Sequence, residues 1–275
     1  MTGRKAPSFV TASWRVFELS LGEMLWSKRT IFMALVVGGP VILAIVVRVL
    51  QASGIPALRV DGVRVGGAAM FGMMIWVLFV RFIVPVLGVF YGTALVADEV
   101  EDKTITYLFT RPIQRGAVLV GKYLAYLVCT ALVVLPSVMI VYFMMVPFAD
   151  VPGSFALLLK DLGILAVGLA VYGALFALTG AVLKRPLVVG LIFAFGWEQV
   201  ALLMPGYLKR FTLAYYVQAL VPHAMPADGP AGFLQAVFRE APSAGTALFW
   251  LFFVLVASLF LAARAVERRE YILDQ

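Results

Sequence analysis

Six long apolar stretches constrain this chain more than any other feature of its sequence. A helix needs roughly 20 mainly apolar residues to cross the hydrocarbon core of a bilayer. The stretches that approach or exceed this length are 31–50, 70–97, 117–146, 155–183, 187–204 and 246–265. The fifth is barely long enough. The pattern predicts an all-α membrane protein with six transmembrane helices, built as a single transmembrane domain over residues 1–275.

The composition agrees with lipid as the solvent. Apolar residues make up 63% of the chain and charged residues 13%, whereas soluble domains carry roughly 45–50% and 25%. This excludes an ordinary soluble globule and a disordered chain. Cys129 is the only cysteine, so the chain has no intrachain disulfide. One histidine and one cysteine cannot form a zinc site of the usual kind.

The basic residues indicate which side of the membrane each end occupies. Cytoplasmic loops carry an excess of Lys and Arg. With the N-terminus inside, the cytoplasmic set is Arg4, Lys5, Arg15, Lys28, Arg29, Lys103, Arg111, Arg115, Lys122, Lys184, Arg185, Arg264, Arg268 and Arg269. The outer set is Arg48, Arg59, Arg64, Lys160, Lys209, Arg210 and Arg239. We therefore expect a multi-pass protein of the inner (plasma) membrane with both termini cytoplasmic, and we attribute the net charge of +7 to this bias, not to nucleic acid.

Two segments outside the spans have amphipathic patterns. Within 9–27, apolar residues recur at helical spacing from Val10 to Leu25 and include Trp14, which predicts a helix lying on the inner membrane surface. The segment 205–245 is too polar to cross and is expected outside. Within it, 207–221 has the composition of a second interfacial helix.

The loop 98–116 between the second and third spans is the most informative part of the sequence. Acidic residues come first and basic residues last, as suits the dipole of a short cytoplasmic helix. The alternative interpretation is an ordinary loop whose charges prevent insertion. The residues that carry the pattern are Glu99, Glu101, Asp102, Thr104, Tyr107, Leu108, Arg111, Pro112 and Arg115.

This loop resembles the coupling loop of permease subunits of type-2 ABC exporters. The family pattern is acids, a Thr, a Leu-rich turn, Pro, a basic residue and Gly-Lys, which here ends at Gly121-Lys122. This chain has Lys103 where a Gly usually precedes the Thr, a departure that could alter the turn. Gly196-Trp197-Glu198, Pro205-Gly206 and 212–216 (TLAYY) also resemble one branch of the family.

The resemblance implies a subunit without catalytic activity of its own. ATP and Mg²⁺ would bind a separate cytoplasmic ABC ATPase, present in two copies, and the loop would dock on it as a coupling helix. A second permease chain, identical or homologous, would complete the unit, surrounded by membrane lipids. The sequence contains no G-x-x-x-x-G-K-[ST] phosphate loop.

Three functions are weighed from the sequence. The first is the transmembrane subunit of an ATP-driven exporter. The second is a mechanotransmission subunit that uses ATP to act on an extracytoplasmic partner without transporting anything. The third is a secondary transporter, which would need several intramembrane acids and inverted repeats that the sequence lacks.

Two charged residues fall within the predicted spans. Arg81 lies near the middle of the second span and Glu198 lies in the fifth. A central Arg is costly in lipid unless it is paired or faces water. Both residues are candidates for an intramembrane substrate path or for a structural pair. Lys160 and Asp161 are expected to neutralise each other at the outer membrane surface.

Overall fold

The computed structural model describes residues 8–53, 59–60, 63–64, 66–101, 115–204, 207–223 and 242–268. Its helices are α1 (Phe9–Leu25), α2 (Lys28–Ala52), α3 (67–101), α4 (Arg115–Met145), α5 (Val151–Val182), α6 (186–203), α7 (Leu213–Leu220) and α8 (Ala244–Arg268). Two short strands, Arg59–Val60 and Val63–Arg64, pair antiparallel between α2 and α3. The described residues thus confirm an all-α membrane fold, with this small hairpin as an addition.

Within the residues that the structure describes, five helices are long and apolar enough to cross a membrane: α2, α3, α4, α5 and α8. The fifth predicted span, 187–204, is apolar but shorter, and its helix runs over 186–203. At 1.5 Å per residue it is about 27 Å long, slightly less than the roughly 30 Å hydrocarbon core. The helix ends because Met204 adopts an extended conformation. Five of the six predicted spans are therefore confirmed as helices of spanning length, and the remaining one forms a shorter apolar helix.

Helices α3 and α6 contain π-helical segments. In α3 these are Ile75–Ile83 and Gly88–Gly92, and in α6 the segment is Ile192–Trp197. Pro85 lies between the two segments of α3, where its missing N–H interrupts the helical hydrogen-bond ladder. Segments of this kind are rare in helices and occur frequently at functional sites.

The helix ends show that successive spans alternate in direction. Arg29 of α2, Ala97 of α3 and Lys184 between α5 and α6 line one cavity. We call the side of the bundle that holds these residues the N-terminal face. Helix α1 packs along α4 there, so closely that a Cβ on Gly121 would lie 2.5 Å from the carbonyl oxygen of Ser13.

The opposite face brings together the other ends of the same helices. The start of α3 lies against the end of α4, because a Cβ on Gly67 would overlap the carbonyl oxygen of Met145. Tyr142 of α4 hydrogen-bonds through its hydroxyl to Ser154 of α5 at 2.7 Å. Together the two faces define the thickness of the bundle.

Helix α5 lies at the centre and packs against α3, α4, α7 and α8. Two of its glycines make close contacts with neighbouring helices. Gly173 faces Tyr126 of α4, and Gly180 faces the backbone of Thr93, whereas Gly163 has open space beside it. Small residues allow such close approach between membrane helices.

The segment after α6 does not form the single interfacial helix that its composition predicts. It divides into a 3₁₀ turn, Tyr207–Phe211, and α7, Leu213–Leu220. Helix α7 is largely buried against α5 and α8. Most of its apolar residues therefore pack against the bundle.

Candidate functional site: a polar cluster inside the bundle

The carboxylate of Glu198 is the centre of a buried polar cluster. The side chain is 1% exposed. Tyr172 of α5 donates its hydroxyl proton to Oε2 at 2.5 Å, and the backbone N–H groups of Leu213 and Ala214 donate to Oε1 at 2.8 and 3.3 Å. A buried carboxylate is tolerated only with such partners. Glu198 thus joins α5, α6 and the beginning of α7.

The start of α7 is prepared for this contact by its own sequence. Thr212 is the N-cap residue, and its hydroxyl accepts a hydrogen bond from the N–H of Tyr215. The first N–H groups of any helix lack partners within the helix. Here Glu198 satisfies those of Leu213 and Ala214, so two separate motifs, 196–198 and 212–216, meet in the fold.

Arg81 lies beside this cluster but does not form an ion pair with Glu198 among the described residues. Its Nε donates to the side-chain oxygen of Gln199 at 2.8 Å, and its guanidinium lies over the ring of Trp76 at 5.4 Å from the centroid. The side chain is only partly buried. The structure therefore brings Arg81 to the residue next to Glu198.

The cluster lies deep in the bundle. Tyr172 is ten residues from Val182, where α5 ends at the N-terminal face, which corresponds to about 15 Å along a helix. That is half the thickness of a hydrocarbon core of roughly 30 Å. Since Glu198 bonds to both Tyr172 and the start of α7, the chain returns to this depth after α6 ends.

A second buried polar pair lies nearer the opposite face. Asp161 of α5 is fully buried, and its Oδ2 lies 2.7 Å from Nε2 of His223. The His223 ring packs edge-on against Phe71 of α3 at 5.7 Å between centroids. The sequence led us to expect Lys160 and Asp161 together at the outer membrane surface, and this expectation is wrong for Asp161. Lys160 is exposed, whereas Asp161 is buried and anchors the end of the segment that contains α7.

The predicted coupling residues fall at the border of what the structure describes. Glu99 and Glu101 lie in the last turns of α3, and Arg115 begins α4. Asp102, Thr104, Tyr107, Leu108, Arg111 and Pro112 lie outside the described residues. Their role in coupling stays a prediction. What the structure adds is that the loop joins two helices that both pack against α5.

Sequence reasoning missed three members of the two polar sites: Tyr172, Gln199 and His223. Each is a single polar side chain in an apolar setting, and a Tyr in a span is usual enough to pass unnoticed. His223, the only histidine, was the most visible signal. Within the described part of the chain, no three His, Cys, Asp or Glu side chains converge to hold a metal ion.

Comparison with known proteins identifies the family. The model of the family described as ABC-2 family transporter protein matches residues 24–265. This match includes all five spans almost entirely, the short helix α6 and both polar sites. A search of curated proteins finds no match. The chain belongs to the ABC-2 family of transporter proteins and is a multi-pass membrane subunit.

Proposed function

We propose that this chain is the transmembrane subunit of an ATP-driven exporter. A separate cytoplasmic ABC ATPase, in two copies, would bind ATP and Mg²⁺, and a second permease chain would complete the path. The observation that carries the proposal is the family match over residues 24–265. It agrees with the resemblance of the loop 98–116 to a coupling loop.

The position of that loop supports its proposed coupling role. The loop connects α3 with α4, and α4 is also held by the surface helix α1. A push on the loop would therefore act on α3, α4 and α1 together. Such a push does work only if the contacts of the permease differ between the nucleotide states of the ATPase.

Charge reversal in the loop tests the coupling. In the purified permease–ATPase complex, Glu101→Lys with Asp102→Lys should release the ATPase or uncouple ATP hydrolysis from transport into vesicles. A control variant, Glu23→Lys with Asp150→Lys, makes the same charge change at exposed sites outside the loop. Full assembly and full coupling in the loop variant would show that the loop is a passive connector.

The orientation is tested separately with cysteine labelling. On a Cys129→Ser background, an impermeant reagent added outside should modify Asp150→Cys, which lies between α4 and α5. It should not modify Lys184→Cys, which lies between α5 and α6; both native residues are exposed. The reverse labelling pattern would place the N-terminal face outside and remove the basis for coupling to a cytoplasmic ATPase.

Arg81 is our candidate for contact with the transported molecule. Unlike Glu198, the side chain of Arg81 is only partly buried. Among the nitrogens of its guanidinium group, only Nε donates a hydrogen bond to Gln199. Arg81→Leu should abolish transport while assembly is kept, whereas Arg48→Leu, at an exposed cation of α2, should not. Transport retained in vesicles with Arg81→Leu would assign Arg81 to structure alone.

A further inference from the structure

A cavity on the N-terminal face combines cationic and apolar residues in a way that the transport proposal does not use. Its volume is about 530 Å³, within the roughly 300–1,000 Å³ typical of ligand pockets. It lies between the start of α2, the end of α3 and the turn from α5 to α6. The residues that line it are Arg29, Phe32, Phe90, Tyr91, Thr93, Ala94, Ala97, Lys184, Arg185, Pro186, Leu187 and Val188.

The described charged residues that line this cavity are all basic. Arg29, Lys184 and Arg185 supply three cations, and among the described residues that line the cavity none is acidic. All three side chains are exposed. Guanidinium and ammonium groups bind phosphate oxygens through charge-assisted hydrogen bonds. The cavity is therefore suited to an anionic group.

A buried hydroxyl adds a second polar feature. Tyr91 is 2% exposed, and its hydroxyl makes no hydrogen bond of ordinary geometry among the described residues, although the hydroxyl of Thr30 lies nearby. Leaving such a group unsatisfied costs about 1–3 kcal/mol. An acceptor oxygen in the cavity that Tyr91 lines would satisfy it.

The apolar part of the lining suits an anion that carries a hydrocarbon chain. Phe32, Leu187 and Val188 are exposed on helices whose outer surfaces are apolar. The cavity also lies where α2 begins and where α3 and α5 end, which is the depth of the headgroups for helices that span the membrane. Basic pockets between transmembrane helices at this depth bind anionic lipid headgroups.

We propose that this cavity binds one anionic phospholipid. Its phosphate would contact Arg29, Lys184 and Arg185, and its acyl chains would run along Phe32 and Val188 toward the lipid-facing surface. Bound there, the lipid would join α2 to the turn between α5 and α6. The inference requires only that the chain spans a membrane, and it does not depend on the exported molecule.

Thermal unfolding of the full-length protein in mixed micelles tests the proposal. Phosphatidylglycerol at saturating concentration should raise the unfolding midpoint by about 5–10 °C. Phosphatidylcholine and inorganic phosphate should not. An equal shift with phosphatidylcholine would show that the cavity does not recognise the charge of the lipid headgroup. An equal shift with inorganic phosphate would identify a site for a free anion instead of a lipid.

Charge removal assigns the effect to the cavity. Lys184→Gln with Arg185→Gln should weaken phosphatidylglycerol binding by at least about tenfold, since the loss of even one charge-assisted hydrogen bond has this effect. Arg15→Gln with Lys160→Gln removes the same charge at exposed sites on α1 and α5 outside the cavity. Unchanged binding in the first variant, or equal weakening in both, would overturn the proposal.

Tyr91→Phe provides a test that does not alter charge. Without anionic lipid, this variant should unfold at the same temperature as the native protein or higher, because it removes an unsatisfied hydroxyl. With phosphatidylglycerol, its stabilisation should be smaller than that of the native protein. A full lipid-dependent shift in Tyr91→Phe would exclude the hydroxyl from the site, and with it this geometry of binding.

Discussion

Helices α5 and α8 have nearly equal mean hydropathy but very different surroundings. Half of the most apolar stretch of α5 is buried inside the chain, whereas only 22% of that of α8 is. Helix α5 also carries Tyr172 and Asp161, which hold Glu198 and His223. Hydropathy thus shows that both helices suit a membrane, but not that one organises the bundle while the other faces outward.

Among the contacts that distinguish α5 from α8, the one between Tyr172 and Glu198 should contribute most to the free energy of unfolding. Glu198→Leu would leave three buried donors without an acceptor, since Tyr172, Leu213 and Ala214 all bond to this carboxylate. We expect a loss of about 3–5 kcal/mol in the free energy of unfolding. Glu198→Gln keeps one acceptor oxygen and should lose less. Chemical unfolding in detergent would measure both, and equal losses would contradict the capping role.

Close packing of α5 should produce the next largest effect. In Gly180→Ala, the new Cβ would lie 2.4 Å from the carbonyl oxygen of Thr93, so two backbones must separate. Overpacking of this kind costs about 1–3 kcal/mol. Gly163→Ala is the matched control on the same helix because its Cβ would meet open space. That variant should be neutral or stabilised by up to about 1 kcal/mol, and the comparison fails if both variants behave alike.

Removing the contact between Asp161 and His223 tests whether α5 also holds the end of the segment that contains α7. Asp161→Ala removes the partner of the only histidine, which lies 2.7 Å away. The expected loss is about 1–2 kcal/mol. Hydrogen exchange should increase in 213–223 more than in α8. In a double-mutant cycle, His223→Ala should add little to Asp161→Ala, and full additivity would show that the two side chains act independently.

Truncation on the outward face of α8 should have the smallest effect. Phe252 is 65% exposed, so Phe252→Ala should change the free energy of unfolding of the single chain by less than about 0.5 kcal/mol. Leu169→Ala on α5, where the side chain is 1% exposed, should cost about 2–5 kcal/mol. Similar losses in the two variants would show that α8 is not peripheral.

The sequence by itself determined where the helices lie and why they are helices. Lipid offers no partner for backbone N–H and C=O groups, so long apolar stretches must bond internally. For this reason the predicted span 31–50 lies within Lys28–Ala52, and 246–265 lies within Ala244–Arg268. The amphipathic pattern of 9–27 likewise anticipated Phe9–Leu25.

Only the tertiary structure decided how the polar residues are used. Arg81 and Glu198 were recognised as costly in lipid, but depth along a helix does not reveal which partner lies across from it. Glu198 bonds to backbone N–H groups whose availability depends on the chain turning back at Met204. Asp161 finds a histidine 62 residues away for the same reason. A buried polar group is satisfied by whatever the fold brings within about 3 Å, and periodicity along one helix carries no information about its neighbours.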